Sequence, residues 1–429
     1  MKKLSLVATA VLGLISTTAM AQSSVTIYGI VDGGVSYVSG LRNGNQTAVV
    51  SGIMDGSRFG LRGNEDIGGG YRAIFTLENR FELDTGSVTN RPISGPQLPD
   101  RIATATGLGL NTLPIPAALT QGIINNINGG IGGTIGVNVA GNLFDRQAFA
   151  GLVTPFGAFT LGRQYTPAYL VGATFDASQT QSSLAAGQVG GIIPSFDIRL
   201  SNTIQYGIQM NGVTAALMYG AGEVAGDSSK GRFLGGMAIY KADGFSLGAG
   251  YNTRNNELGQ KSLTDTIIGG TVGIGPGTLY GQYANIKDDN PTNLSTFGAS
   301  AATAVTTATG SAVLGASAGA AFQNAYNQAF RQDARLMHIG YKMISGVHTV
   351  VVAFSRYDDK RAINADTDSY GATYSYALSK RTSLNAVLTR FNNKGSGQTA
   401  PGQAGFLGGV TSNAGTGSTN VAFGVNHKF

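Results

Sequence analysis

The chain has no cysteine and no tryptophan, and it is short of charge: 12% of its 429 residues are Asp, Glu, Lys or Arg. A soluble chain of this size normally carries about twice that charged fraction. Without thiols, nothing can be misoxidised on the way out of a cell, which permits export but does not establish it. Only 3 histidines are present. His338, His348 and His427 are too few and too scattered for a metal site, and no cofactor is implied. The formal excess of +6 includes Lys2 and Lys3. So mild a surplus, with no long basic stripe, excludes nucleic acid as a partner. Long hydrophobic runs are also missing beyond residue 21, so no transmembrane helix is expected there.

What is present begins with a leader. Lys2 and Lys3 form a positive start, Leu4 to Ile15 an apolar core, and Ala19-Met20-Ala21 a small-x-small cleavage site. Residues 1–21 therefore read as a signal peptide, and residues 22–429 as one mature domain. The apolar core is too short to span a bilayer, which needs about 20 residues. Glycine is abundant, at 65 residues, but it sits inside alternating apolar segments rather than in polar repeats.

The strongest regularity has period two. Val25, Ile27, Val31, Val35 and Tyr37 face one way, and Thr26, Tyr28, Asp32 and Ser36 the other. Tyr71, Ala73, Phe75 and Leu77 alternate with Arg72, Thr76, Glu78 and Arg80. Similar runs begin at Ile204, Val213, Phe245, Met337 and Tyr370. The chain ends on another: Val421, Phe423, Val425, His427 and Phe429 share a face. One apolar and one polar face is the pattern of a half-buried strand. Short turns punctuate these runs at Asp66–Gly70, Pro155–Gly157, Asn211-Gly212, Ala242–Gly244, Gly275–Gly277, Ser345-Gly346 and Leu378–Arg381. Longer polar loops lie between them. Strands flanking these turns, with the closing first and last strands, give about sixteen, an even number. The apolar faces are thin and rich in Gly, Ala and Tyr, which suits lipid better than a sandwich interior. No edge strand carries protective lysines or prolines, which suits a closed sheet. The fold class is therefore all-β: a transmembrane antiparallel β-barrel of about sixteen strands, with Tyr and Phe girdles at its rims.

Two stretches break the rhythm. Residues 87–142 are rich in proline and glycine, and residues 290–332 in Ala, Thr and Ser. Phe322, Tyr326 and Phe330 recur at spacing four, so a short amphipathic helix is expected within the second. Both read as loops over the barrel mouth, neither with a core of its own. Gly315-Ala-Ser-Ala-Gly319 matches the nucleophile-elbow spacing, but such a site needs a strand before it, a helix after it and a nearby histidine. Asp288-Asp289 and Asp358-Asp359 could hold calcium at the outer rim, though solvated loop charges are the commoner reading. The glycines of 129–136 lack a phosphate-loop lysine and read as loop.

Several segments resemble the trimeric general porins of Gram-negative outer membranes, nearest the β-proteobacterial branch. These are Ser24–Asp32, Ser57–Gly70, Phe156–Gln164 and the terminal Phe429. The resemblance runs from residue 24 to 429, except in the two long loops. It implies a sixteen-stranded barrel, a homotrimer set in outer-membrane lipid and lipopolysaccharide, and passive diffusion of small hydrophilic solutes and ions. It also implies a third long loop folded inward to narrow the pore. The strand pattern places that loop between about Gln164 and Ile198.

Parity then selects charges that face the lumen. Arg58 alternates with Phe59 and Leu61 and points inward. Arg146 shares a face with Ala148 and Ala150, away from Phe149. Arg199 shares one with Ser201, Thr203 and Gln205. In the resembling family, arginines at these places form a basic cluster facing acidic groups of the inward loop. By that resemblance Arg58, Arg146 and Arg199 form the pore constriction, with Asp176 as the acidic counterpart. A simpler alternative pairs these arginines with lumen carboxylates such as Glu78, Glu82 and Asp32. Arg163 falls on the other parity and could anchor the inward loop or a neighbouring subunit's second loop.

Charge lining a narrow watery lumen sets selectivity by field and diameter, with no catalytic step. The expected function is a general diffusion porin that prefers anions. A substrate-specific channel would need aromatic residues climbing the lumen, which parity does not trace. An enzyme barrel would need catalytic groups at the outer rim, and a secreted β-sandwich would dissolve without detergent.

Overall fold

Successive side chains on a strand point to opposite faces, so a period-two sequence in a sheet has one greasy side. The computed structural model describes residues 24–88, 97–134, 141–179, 197–401 and 409–429. The leader expected at residues 1–21 lies outside the described residues.

The strands are β1 (Ser24–Leu41), β2 in two pieces (Gly44–Ser51 and Arg58–Gly68), β3 (Tyr71–Arg80), β4 (Gln147–Thr154) and β5 (Gly157–Tyr165). They continue with β6 (Arg199–Met210), β7 (Val213–Gly220), β8 (Phe233–Lys241), β9 (Phe245–Asn255), β10 (Lys261–Ile274) and β11 (Gly277–Asp288). The last are β12 (Gln332–Ser345), β13 (His348–Asp359), β14 (Thr367–Ala377), β15 (Thr382–Asn393) and β16 (Ser418–Lys428). Each pairs antiparallel with its sequence neighbours, and β16 pairs with β1 to close the ring, from Ile30 opposite Lys428 to Ser39 opposite Thr419. Gly29 and Phe429 exchange two backbone hydrogen bonds of 3.1 Å at that seam. The result is a closed barrel of sixteen strands, with no exposed edge.

The turns at one rim fall where the sequence places them. Asn211 and Gly212 both have positive φ, the geometry of a two-residue hairpin turn that glycine and asparagine tolerate. At the other rim the connections are longer, notably 81–146, 166–198 and 289–331.

The outer wall is apolar. Val25, Ile27, Leu217 and Phe423 each stay more than 60% exposed, while Ser36, Thr203, Gln205 and Asn420 on the alternate face are nearly fully buried. A belt of this kind is unsuited to water and suited to hydrocarbon. Aromatic rings sit near strand ends, and the Tyr206 and Tyr341 hydroxyls donate to the carbonyls of Phe156 and Ile274.

The two long loops depart from expectation. They carry α1 (Asp100–Ala103), α2 (Ala117–Thr134), α4 (Phe297–Thr309) and α5 (Ala312–Phe330); α3 (Pro167–Phe175) lies in the third loop. Neither long loop has a core alone, but together they build one. Ile102, Leu108, Leu110, Ile123, Ile124 and Ile127 from the first pack with Ala301, Val305, Ala318, Phe322 and Tyr326 from the second. The Tyr326 hydroxyl donates to Asn128 at 2.9 Å across this joint. The helix expected around Phe322 is thus longer and has a partner helix. The glycine stretch read as loop from 129 is helical as far as Thr134. The Gly315–Gly319 spacing lies inside α5, where Gly319 lets α4 approach: a Cβ there would meet the Gly298 carbonyl at 2.7 Å. It is a packing feature, not a nucleophile elbow.

Candidate pore constriction

The site begins with a break in β2. The Asp32 carboxylate accepts backbone N–H groups from Ile53 (2.7 Å), Met54 (3.2 Å) and Asp55 (2.9 Å), and the Asn426 amide at 2.6 Å. These bonds fold residues 52–57 into a kink. Arg58 follows directly, its Nε donating to the Gly56 carbonyl at 2.8 Å and its Nη2 lying 3.5 Å from Asp55.

Arg146 is inward, but not by the parity argument. The strand begins one residue later, and its inward residues are Gln147, Phe149 and Val153, the face assigned to lipid from sequence. Phe149 and Val153 join Ile74 and Ala158 in a small apolar patch on the inner wall. Arg146 instead precedes the strand and is drawn in by Glu78. Its N–H bonds the Glu78 carbonyl, and its Nε donates to Oε1 at 2.7 Å. The alternative pairing with Glu78 is therefore realised for this arginine. Glu78 also accepts from the Tyr28 hydroxyl at 3.0 Å, and Arg62 lies over the Tyr28 ring.

Tyr165 joins the cluster and was missed in the sequence. Its hydroxyl accepts from Arg146 Nη2 and Arg199 Nη2, each at 2.9 Å, and the Arg199 guanidinium lies 4.4 Å from its ring centroid. A bulge hides it. The register between β5 and β6 shifts where Gly162 to Gln164 face Thr203 to Leu200, with the extra residue on β6 and Asn202 at φ +59°, and Gln164 and Tyr165 are both buried, so alternation fails at Tyr165. Arg58, Arg146 and Arg199 all lie close enough to act on the charge of Glu78. Arg163 stands at the root of the third loop, its Nε bonded to the Asp145 carbonyl and its Nη1 to Ser201 at 3.2 Å.

The described first part of the third loop, residues 166–179, folds inward. Thr166 N–H bonds the Ile198 carbonyl at 3.1 Å and closes the base. Asn252 on β9 holds the start of α3, donating to the Thr166 hydroxyl at 3.0 Å and accepting from Ala168 N–H at 3.1 Å. α3 then crosses the inner wall, where Leu170, Val171 and Phe175 pack against Met237, Ile239, Ile267 and Ala284. Glycines make the floor: a Cβ on Gly269 would meet Phe175 at 2.6 Å, and one on Gly250 would meet the Ala168 Cα at 2.9 Å.

Asp176 ends α3 on the far side from the arginines in strand order. It accepts from the Ser178 backbone and hydroxyl at 2.9 Å, and its Oδ1 lies 3.8 Å from His338 Nε2 on β12. His338 Nε2 accepts the Ala177 N–H at 3.0 Å, and Lys342 donates to Gln179 at 2.8 Å. Among the described residues no bond joins Asp176 to the three arginines. The structure therefore brings Arg146 and Arg199 together with Arg58 beside Glu78, and sets Asp176 apart. At the rim, the Asp359 carboxylate is taken by Arg361 at 2.8 and 2.9 Å, and Asp288 accepts from Ser262 at 3.1 Å.

A family model described as Gram-negative porin matches residues 8–396. The chain belongs to this family. It is 27% identical over 449 residues to outer membrane porin protein 32 of Delftia acidovorans, covering all of both chains. It is 39% identical over 101 residues to an outer membrane porin protein of Bordetella pertussis, covering 20% of this chain and 26% of that one. Among solved structures, the anion-selective porin from Comamonas acidovorans aligns with a TM-score of 0.64 at 24% identity, covering 95% of this chain and 100% of that one. The sixteen-stranded barrel is thus a porin of the outer membrane, a passive channel and not an enzyme.

Proposed function

We propose that this porin is a general diffusion channel with anion preference, narrowed by Arg58, Arg146 and Arg199 on one wall and by the third loop with Asp176 opposite. One observation carries the reading: three buried guanidinium groups gather around Glu78, with Asp55 beside Arg58 the second carboxylate of the cluster. Arg146 is paired with Glu78, and Arg199 donates to the Tyr165 hydroxyl. The surplus is positive, and a low-dielectric wall focuses its field into the lumen. The name of the Comamonas structure agrees in sign. The barrel works as a homotrimer in outer-membrane lipid, with lipopolysaccharide around its loop-side rim, and a signal peptide of residues 1–21 directs it there.

The test is the zero-current potential of single channels in a salt gradient. The wild type should show the sign of chloride preference, and Arg199→Ala should move it towards zero. Cation preference in the wild type, or an unchanged potential in Arg199→Ala, overturns the reading.

A further inference from the structure

The helical cap holds one arginine in an unusual position. On one flank, Asp100 takes Arg42 at 2.5 Å and the Gln398 amide at 3.0 Å, tying α1 to the rim. On the other, Ile102 is buried in the cap core. Arg101 stands between these two anchors and is held by both. It is 8% exposed, its Nε is shut off from water, and that nitrogen has no hydrogen-bond partner among the described residues. None of the ion pairs of the described residues includes it.

Its charged surroundings do not neutralise it. The groups that act on it are Arg361, Tyr357 and Asp359, at the loop-side end of β13 and just beyond. Asp359 is already engaged: its carboxylate accepts from Arg361 Nε and Nη2, from the Arg361 N–H at 3.0 Å and from the Ala365 N–H at 3.1 Å. Arg361 spends its remaining donors on the carbonyls of Ala329 and Arg331. Two guanidinium groups thus lie near one carboxylate, which is bonded to Arg361 and not to Arg101. Burial, then Arg361, brings the Arg101 pKa down to about 10, which leaves it charged at neutral pH. A buried cation without a partner is costly, and an anion of matching geometry removes that cost. Arg presents a planar fork suited to oxyanions.

We propose that Arg101 is an outer anion-binding residue, which captures small oxyanions at the loop-side mouth before they reach the wall of Arg58, Arg146 and Arg199. The cap formed by the two long loops holds it there. The proposal rests on the channel reading, and inorganic sulfate separates the two. Chloride current and its zero-current potential test the channel; side-specific block of that current by sulfate tests Arg101. In wild-type channels, sulfate in the chamber facing the loops should reduce the current at about tenfold lower concentration than sulfate in the other chamber. Arg101→Gln should raise the loop-side half-blocking concentration about tenfold and leave the other side alone, while Arg101→Lys should keep most of the wild-type block. Equal block from both sides of the wild type overturns the proposal, whether or not the Gln variant folds. So does a Gln variant that conducts more chloride, as a loosened cap would, with its loop-side block unchanged.

Discussion

Charge at the proposed constriction depends on Asp176 as well as on the arginines. Burial pushes its carboxyl up to about 7, against bonds from Ser178 that favour the ionised form. The group is therefore neutral below that pH and negative above it. Lowering the pH from about 8 to about 6 removes a negative charge from the third loop, so anion preference should increase over that range. Zero-current potentials measured against pH should show the rise, and Asp176→Asn should flatten it. A wild-type profile that is flat, or that falls, contradicts the placement. At this scale the sequence was partly legible. Arg58 follows strand parity into the lumen, whereas Arg199 is buried across a register shift from Thr203 that leaves Ser201, expected on its face, exposed. Arg146 points inward only because Glu78 draws it in ahead of the strand. Tyr165 was illegible because alternation fails beside a bulge whose extra residue lies on the neighbouring strand, between Leu200 and Thr203, and so leaves no mark in the sequence around Tyr165.

Elements place these charges. α3 lies flat on the wall because Gly248, Gly250 and Gly269 leave room for Phe175, Ala168 and Val171. A methyl at 269 would press on the Phe175 Cδ2, Cγ and Cβ atoms between 2.6 and 2.9 Å. Gly269→Ala should therefore push α3 off the wall and into the lumen, at a cost of about 1–3 kcal/mol. The expected readings are a lower unfolding temperature and a smaller single-channel conductance; an unchanged conductance would show that the floor does not position the loop. The position of the third loop was legible from the ends of its flanking strands, while its inward fold was implied only by the resemblance. The cap was not, because its core pairs residues such as Asn128 and Tyr326 that lie far apart in sequence. The first half is broken by prolines and glycines and the second is mostly Ala, Thr and Ser, so neither read alone suggests a packed unit, and helix α2 is masked by its glycines.

For the whole molecule, the turns carried the prediction. Tight reversals occur at the short connections of one rim, and glycine or asparagine marks them in sequence except at Leu378–Arg381. Alternation then assigned the faces, failing where the inner wall is itself apolar: at Phe149, and under α3 where Ile267 and Ala284 pack. Both failures have one cause, since a lumen occupied by a loop or by its own side chains need not be polar at every position. The account as a whole depends on which alternate residues meet hydrocarbon. A photoreactive probe dissolved in the bilayer core measures that directly, with the modified residues read by mass spectrometry. It should mark Ile204, Leu217, Leu247 and Phe423, which are exposed on the outer wall, and spare Thr203 and Gln205, which are buried within. Marking of Thr203 and Gln205 with Ile204 and Leu217 spared would contradict it.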